Sequence, residues 1–243
     1  MSYRGSMFRL AHISDPHLGP MPTLGTADYF NKRLLGMWYW RRNRQKHMTA
    51  EWLDGLVADL RAQEADHIAV TGDVTNLAME EEFERGGHWL ASLGAPENVS
   101  VIPGNHDAYV AGAFRKSSHH WASFMTGDDG GRTIAFPYLR RRGDVALIGT
   151  STGFALPPFV AGGFFGQRQA DRLVTILRDP ALSGTFKIIM IHHPPHPGAT
   201  LPRKALFDAG LFRRAVRKSG ADLILHGHTH LPTLAHIDGP DGR

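Results

Sequence analysis

Short apolar runs alternate along the chain with longer segments in which apolar residues recur every third or fourth position. The runs that we expect to form strands are residues 8–13, 67–70, 99–102, 133–136, 145–149, 186–191 and 221–225. A short apolar run bounded by turn residues is typical of a buried strand. Residues 133–136 and 145–149 are expected to pair across a turn at residues 140–143. The pattern predicts an α/β protein, with a central sheet and helices on its outer faces.

Amphipathic helices are predicted between several of these strands. The predicted helices are one that Thr49 caps and that has Trp52, Leu56, Val57 and Leu60 as its apolar stripe, and residues 80–93, 167–178 and 212–218. In the third of these helices, Leu173, Val174 and Leu177 are spaced to share the inward face. Predicted strands and helices thus alternate along the chain, which favours a central sheet with helices packed on it.

The composition is typical of one large globular domain. The 243 residues are 42% hydrophobic and 21% charged, and no linker or charge block divides them. We expect a single domain over residues 7–243 and exclude residues 1–6 from the fold argument as an added leader. Little sequence follows His230, so we expect a trimmed carboxyl terminus without a closing strand. No segment approaches the roughly 18 apolar residues of a membrane-spanning helix.

Cysteine is absent from the chain, which limits the chemistry of any metal site. A metal would be held by nitrogen and oxygen atoms, and disulfide bonds are excluded. This suits the reducing cytoplasm, which is the location that we expect, with the inner membrane surface as an open alternative. The formal net charge of +4 and the pI near 9.6 are weak evidence for an anionic partner.

Polar residues that bind metals stand directly after five of the predicted strands. The five clusters are Asp15-Pro16-His17, Gly72-Asp73, Gly104-Asn105-His106-Asp107, His192-His193 and Gly227-His228-Thr229-His230. The carboxyl ends of parallel strands lie along one edge of a sheet. Five loops that are far apart in sequence are therefore expected to build one site.

The clusters contain the ligands that a pair of divalent ions requires. Such a pair needs a carboxylate that bridges both ions, and terminal ligands that leave positions for water and substrate. Asp73 is the predicted bridge. The terminal ligands that we expect are Asp15, His17 and His230 for one ion, and Asn105, His192 and His228 for the other. Side chains at i and i+2 of an extended segment point to the same side, which would explain the pairs 15/17 and 228/230.

The charge of this ligand set favours a phosphate. Two divalent cations with the carboxylates of Asp15 and Asp73 keep a net charge of about +2, which attracts a phosphate group and activates a bound water. Mixed imidazole and carboxylate ligands favour manganese, iron, zinc or cobalt over calcium or magnesium. The expected cofactor is therefore a pair of these transition-metal ions.

In this order and spacing, the clusters resemble the calcineurin-like metallophosphoesterases over about residues 8–230. The family pattern is D-x-H, G-D, G-N-H-D/E, a histidine two residues before a proline, and G-H-x-H. The resemblance implies a four-layer α/β/β/α sandwich and the ligand set given above. It also implies that a hydroxide shared by the two metals attacks phosphorus in line, and that His106 contacts the phosphate or protonates the leaving oxygen.

The catalytic acid and the histidine ligand before the paired prolines are predicted from their neighbours. A histidine beside a phosphate can protonate a departing alkoxide, so His106 is the predicted catalytic acid, and Asp107 either orients it or is a solvated loop acid. Successive residues at a strand end face opposite sides, so only one of His192 and His193 is expected to reach the metals. The family pattern indicates His192.

Residues 20–48 are predicted to be an insertion rich in aromatic and basic side chains. One interpretation is a cap over the site that binds an anionic, partly apolar substrate or touches an anionic membrane through Trp38 to Arg44. The alternative is an ordinary helix that packs its aromatic rings and exposes its arginines.

The predicted function is phosphodiester hydrolysis of a small phosphate ester. Residues 166–195 resemble the branch of class III cyclic-nucleotide phosphodiesterases and glycerophosphodiesterases. Three alternatives stay open: a pyrophosphatase acting on a nucleotide-diphospho-lipid, a metal-dependent nuclease, and a non-catalytic scaffold. No nucleic-acid partner is expected, because no DNA-binding module is evident. The sequence leaves the oligomeric state open.

Overall fold

The structure is a computed structural model that describes residues 7–43, 50–129 and 133–242. The strands are β1 Leu10–Ile13, β2 His67–Val70, β3 Val99–Val101, β4 Tyr138–Arg142, β5 Val145–Gly149, β6 Phe186–Met190 and β7 Leu223–Leu225. The helices are α1 Arg33–Asn43, α2 Ala50–Ala62, α3 Glu80–Leu93, α4 Ala113–Ser117, α5 Gln167–Leu177 and α6 Ala209–Ser219. Strand and helix therefore alternate, as the sequence pattern predicts.

The strands form two sheets. The first has the order β1-β2-β3 and the second has the order β4-β5-β6-β7. The first sheet is parallel throughout, with Ile13 opposite Val70. In the second sheet, β5, β6 and β7 are parallel and β4 is antiparallel to β5. The parallel strands of each sheet thus end at one edge, and the polar clusters lie in loops that leave this edge.

Two apolar clusters define the order of the layers. The first joins α2 and α3 to the first sheet and to one face of the second, and includes Val57, Leu60, Ile68, Phe83, Val101, Leu147 and Ile188. The second joins the other face of the second sheet to α5 and α6, and includes Ala146, Ile148, Leu173, Leu177, Ile189, Phe212 and Val216. Successive residues of β5 alternate between the clusters, as a strand buried on both faces requires. The layers are α/β/β/α, which confirms the predicted fold class.

The hairpin of the second sheet differs from its prediction. Residues 133–136 are not a strand, and residues 140–142, predicted as a turn, belong to β4. The reason is that Arg140 is buried, with 3% of its surface exposed. Its guanidinium donates to the carbonyl oxygens of Thr126, Pro96, Val99 and Ser123. A sequence pattern that treats arginine as solvated could not detect this use of it.

The prediction for helix α2 is correct in part. The α2 stripe is correct for Val57 and Leu60, which are buried, and wrong for Leu56, which is 49% exposed. The predicted cap Thr49 and the side chain of Trp52 lie outside the described residues. Within residues 7–43, 50–129 and 133–242, no helix combines the length and apolarity needed to cross a bilayer.

Candidate metal centre

The five polar clusters come together at the carboxyl edge of both sheets. In the first sheet, the backbone N–H of Asp15 donates to the Gly72 carbonyl oxygen at 3.0 Å, which joins the first two clusters. In the second sheet, the N–H of Gly227 donates to the His192 carbonyl oxygen at 3.0 Å. The imidazole of His192 then crosses between the sheets, with Nδ1 2.7 Å from the carbonyl oxygen of Thr71. The seven predicted ligands therefore lie in one place.

Most of the predicted ligands have an unusual backbone conformation. Five of the seven have a positive φ in the left-handed region: Asp15 at 54°, His17 at 43°, Asp73 at 53°, His228 at 72° and His230 at 55°. The prediction that strand-like alternation aligns 15 with 17 and 228 with 230 is therefore wrong, because these residues are not extended. Left-handed non-glycine residues carry strain and concentrate at functional sites. The backbone itself thus marks this region as a site.

Glycines of the motifs make room for the polar side chains. A Cβ on Gly104 would contact Asp73 Oδ1 and would lie 2.6 Å from the Asp73 backbone nitrogen. A Cβ on Gly227 would contact Ser14 Oγ and would lie 2.5 Å from Asp15 Oδ2. Only a residue without a side chain lets these loops approach so closely.

We expect Gly104→Ala to weaken metal binding, because the added methyl group displaces the Asp73 carboxylate. A loss of affinity of about 10- to 100-fold is typical when the support of a metal ligand is disturbed. Titration of the metal-stripped protein with Mn²⁺, followed by calorimetry, measures this loss. Gly55→Ala is the control, since a Cβ on Gly55 meets nothing within 4 Å. Equal affinities in the two variants would contradict the expectation.

Asp73 lies at the centre of the cluster. Its Oδ2 is 3.4 Å from His192 Nε2 and 3.8 Å from His17 Nε2, so one oxygen faces both proposed ligand groups. Its Oδ1 accepts the backbone N–H of His106 at 2.7 Å. Burial would raise the pKa of Asp73, but the imidazoles of His192 and His106 hold it well below its usual range. The side chain is a buried carboxylate placed between two sets of donors.

The first group contains Asp15, His17 and His230, whose ligand atoms lie within 4.8 Å of one another. His17 donates from Nδ1 to the carbonyl oxygen of Thr75 at 3.1 Å, which leaves Nε2 as the atom that can hold a metal. That Nε2 is 3.4 Å from His230 Nε2, which in turn is 3.3 Å from Asp15 Oδ1. These atoms converge as the ligands of one ion would.

Asp15 provides the test of whether the residues fit a cation. Its Oδ2 accepts the backbone N–H of His228 at 2.9 Å and the hydroxyl of Ser14 at 2.6 Å. Its Oδ1 is buried and makes no hydrogen bond. Burial of a charged oxygen without a hydrogen-bond partner is costly, and a bound cation removes that cost. The donor set fits a divalent metal.

The second group contains Asn105, His192 and His228. His192 Nε2 is 3.2 Å from Asn105 Oδ1, and the rings of His192 and His228 have centroids 5.2 Å apart. His228 donates from Nε2 to the carbonyl oxygen of Lys204 at 3.0 Å, so its Nδ1 is the atom available to a metal. Burial disfavours a charged imidazole at His192, yet the Asp73 carboxylate raises its pKa to about 10. The Asp73 carboxylate thus favours positive charge at this position.

His193 is buried beside His192 but uses both ring nitrogens elsewhere. Its Nδ1 accepts from the hydroxyl of Thr152 at 2.8 Å, and its Nε2 donates to the carbonyl oxygen of Ala161 at 3.2 Å. Burial, with the neighbouring imidazoles of His192 and His228, lowers the pKa of His193 well below its usual value. These contacts favour His192 as the ligand and His193 as a neutral support for the 154–164 loop.

His106 lies at the open side of the same cluster. Its Nδ1 donates to the carbonyl oxygen of Asn76 at 2.5 Å, which fixes the ring. The ring centroid is 4.8 Å from that of His17 and 5.7 Å from that of Tyr109, on which it is stacked. The ammonium of Lys32 lies 4.1 Å from the centroid of the Tyr109 ring. A chain of contacts thus joins His106 to the insertion.

Asp107 holds two loops of the site together. One carboxylate oxygen accepts the N–H and hydroxyl of Thr75, and the other accepts the backbone N–H groups of Asp73 and Gly104 at 2.8 Å. Burial and the nearby Asp73 carboxylate raise its pKa to about 7, against the effect of these donors. The alternative of a solvated loop acid is wrong, since Asp107 is fully buried. Its contacts indicate positioning of Asp73 rather than of the His106 ring.

Sequence reasoning missed the groups that orient the imidazoles. The carbonyl oxygens of Thr71, Thr75, Asn76 and Lys204 fix the rings of His192, His17, His106 and His228 in turn. Backbone carbonyls carry no sequence signal, because every residue has one. Tyr109, which stacks on His106, lies two residues beyond the G-N-H-D motif and was also missed.

The fold and the site together define a class: α/β/β/α proteins with a two-metal ligand set at the carboxyl edge of paired sheets. A family model of calcineurin-like phosphoesterases matches residues 8–232. The chain belongs to the calcineurin-like phosphoesterase family. It is accordingly a metal-dependent phosphoester hydrolase by family, and the family implies two divalent ions at this site.

A solved structure shows the same fold. The crystal structure of a dimetal phosphatase from Danio rerio superposes with a TM-score of 0.62 at 16% sequence identity. The alignment covers 92% of this chain and 82% of that chain. At this identity the likeness concerns the fold. No curated protein matches the chain.

Proposed function

We propose that the protein is a phosphodiesterase whose site would hold two divalent ions, with Asp73 facing both groups of ligands. The position of Asp73 carries this proposal, because a single buried oxygen faces His17 of one ligand group and His192 of the other. When bound, two divalent ions supply Lewis-acid activation of water and neutralise charge on the phosphate. The ligands proposed for them are Asp15, His17, Asp73, Asn105, His192, His228 and His230.

His106 and Asp107 would have separate roles in the reaction. His106 is held by its Nδ1–H at the Asn76 carbonyl oxygen, so Nε2 is the atom that delivers a proton to the leaving oxygen. Asp107 keeps the loops of Asp73 and Gly104 in register through its accepted N–H groups. Neither role requires movement of the backbone.

The surroundings of His106 favour a diester over a monoester. Of the neighbouring cations of the insertion, Arg33 is paired with the Asp28 carboxylate at 2.7 Å. Lys32 donates to the carbonyl oxygen of Leu156 at 2.7 Å, and burial lowers its pKa to about 8. A monoester dianion would benefit from further positive charge, whereas a diester carries one negative charge only. Tyr109, which is stacked on His106, instead supplies an aromatic surface for a second ester group.

We expect hydrolysis of bis-p-nitrophenyl phosphate, lost on chelation with EDTA and restored by Mn²⁺. Chelation removes the metal ions that activate the attacking water, so turnover should fall to the uncatalysed background. Parallel assays with p-nitrophenyl phosphate and with Zn²⁺, Co²⁺ or Fe²⁺ test the ester class and the metal.

Faster turnover of the monoester would contradict the diesterase proposal. Activity that resists chelation would contradict the metal centre. No turnover of any ester in the metal-loaded protein would favour the non-catalytic scaffold.

A second candidate is a pyrophosphatase that acts on a nucleotide-diphospho-lipid. The observation in its favour is the exposure of Trp38 and Tyr39, at 59% and 55%, on the helix joined to His106 through Lys32 and Tyr109. Large exposed apolar side chains suit a substrate with an acyl tail. A screen of cyclic nucleotides, glycerophosphodiesters, single-stranded DNA and a nucleotide-diphospho-lipid separates the candidates. The cytoplasmic location stays a prediction.

A further inference from the structure

Exposed apolar side chains concentrate on the face of the protein that carries the metal centre. Among the described residues, all but four of the large exposed apolar side chains lie in four segments, each of which contacts or directly follows a residue at the metal centre. We call these side chains the apolar rim and define it as those within residues 29–39, 154–164, 201–207 and 231–234. The four exceptions are Met7, Leu56, Phe186 and Leu223. Such a one-sided distribution is typical of an interaction surface.

Helix α1 presents one edge of the rim as a continuous row. Leu34 and Trp38 are four residues apart on α1 and are 40% and 59% exposed, and Phe30, which is 92% exposed, ends the short 3-10 helix before α1. Residues four apart lie on one side of a helix. Arg42 continues this row, with its guanidinium 5.6 Å from the centroid of the Trp38 ring. Exposed apolar side chains next to a cation suit contact with an anionic membrane surface.

The opposite side of α1 fixes the helix to the protein. Met37 is buried against Leu77 and Met79. Arg33 donates from Nε to the carbonyl oxygen of Leu77 at 2.9 Å, and a Cβ on Gly36 would lie 2.5 Å from a methyl group of Leu77. The row therefore faces outward because the other face is already packed. The exposed row and the packed face with Met37 are therefore two different faces of α1.

The other segments of the rim are tied to α1 and to the metal centre. Lys32 donates to the carbonyl oxygen of Leu156, which joins α1 to the 154–164 loop. Phe164 packs on Phe207 with ring centroids 5.1 Å apart, and His228 donates to the carbonyl oxygen of Lys204. The rim is therefore one assembled surface beside the ligands.

The charges of this face are positive. Arg41, Arg42, Arg203 and Lys204 are exposed. The four segments of the rim contain no acidic residue, and the acids that directly adjoin two of them are engaged within the protein. Asp28 pairs with Arg33, and Asp208 accepts the N–H groups of Phe165 and Gly166. Exposed basic side chains beside apolar ones match an anionic bilayer, whose head groups attract lysine and arginine.

We propose that the apolar rim rests on an anionic phospholipid surface and presents the metal centre to phosphate esters that are carried by lipids. The substrate class rests on the proposed function, whereas the surface binding does not. A second copy of the chain fits this face less well. A two-fold dimer places the same patch against itself, which would oppose the four basic side chains and cover the metal centre.

Vesicle flotation of the full chain tests the proposal. We expect binding to vesicles of phosphatidylcholine with phosphatidylglycerol, and much weaker binding to phosphatidylcholine alone, with the difference lost at high salt. Replacement of Phe30, Leu34 and Trp38 together by glutamine should lower the partition coefficient at least about tenfold, since three apolar contacts are removed. Turnover of bis-p-nitrophenyl phosphate in solution should be unchanged in this variant.

The matched control replaces Leu56, Phe186 and Leu223 by glutamine, three exposed apolar residues outside the rim. Equal binding of the two triple variants to the anionic vesicles would overturn the proposal. So would a wild-type dimer that the rim variant dissociates, if the protein fails to bind vesicles. Because flotation needs no substrate, its result is independent of the diesterase assay. An active enzyme that does not float would contradict the membrane proposal and leave the phosphodiesterase proposal standing.

Discussion

Asp73→Asn should nearly abolish turnover and release metal, because the amide removes the one negative charge that faces both ligand groups. The Oδ2 atom of Asp73 lies 3.4 Å from His192 Nε2 and 3.8 Å from His17 Nε2. An asparagine NH₂ at that position would point hydrogen atoms at nitrogen lone pairs. We expect turnover of the diester to fall by more than about 10⁴-fold, since metal activation of the attacking water is lost. Metal analysis by mass spectrometry and initial rates measure both effects.

The control for this change is Asp59→Asn, which removes an exposed carboxylate on α2. The two variants therefore have the same formal charge. Asp59→Asn should keep both metal and activity. Retention of two metal ions per chain and full turnover in Asp73→Asn would contradict the bridging role. A thermal unfolding curve for each variant separates metal loss from loss of the fold.

His106→Ala should lower turnover by about 10²- to 10⁴-fold and keep the metal content, as expected on the removal of a general acid. The imidazole lies beside His17 at a centroid distance of 4.8 Å, but its Nδ1 is committed to the Asn76 carbonyl oxygen. The loss should depend on the leaving group. An alkyl ester needs a proton at the departing oxygen, whereas p-nitrophenolate departs more readily without one. The ratio of the two rates measures proton donation directly.

His88→Ala, in an exposed position on α3, is the matched control and should change neither rate. If His106→Ala slows both esters by the same factor, His106 contacts the phosphate but does not donate the proton. If it slows neither ester, the proposed role is wrong. The metal content of His106→Ala must match that of the wild type for either comparison to hold.

The regular parts of the fold were predictable because burial on both faces leaves a clear pattern. β2 and α3 begin and end where the sequence predicts, at His67–Val70 and Glu80–Leu93. β4 was misplaced because its sequence contains three consecutive arginines, one of which is buried by hydrogen bonds to four carbonyl oxygens. Hydrophobic patterning detects apolar burial and does not detect a satisfied buried cation.

The ligand set was predictable from residue types at strand ends, whereas its geometry was not. The predicted residues do meet, but through left-handed turns at Asp15, His17, Asp73, His228 and His230 rather than through extended alternation. Aspartate and histidine adopt this conformation more often than most residues, but only a small fraction of them do, so their presence alone does not predict it. The roles of Asp107 and Tyr109 required side-chain contacts between distant segments, which a single sequence does not reveal.

The nitrogen atoms of His17 and His230 that face each other belong to residues 213 positions apart. A polypeptide fragment that lacks either end cannot assemble the group of Asp15, His17 and His230, whatever local structure it keeps. Release of bound Mn²⁺ during denaturant titration should therefore coincide with global unfolding, since both sheets must be docked before these atoms meet. Ion retention then reports the integrity of nearly the whole polypeptide.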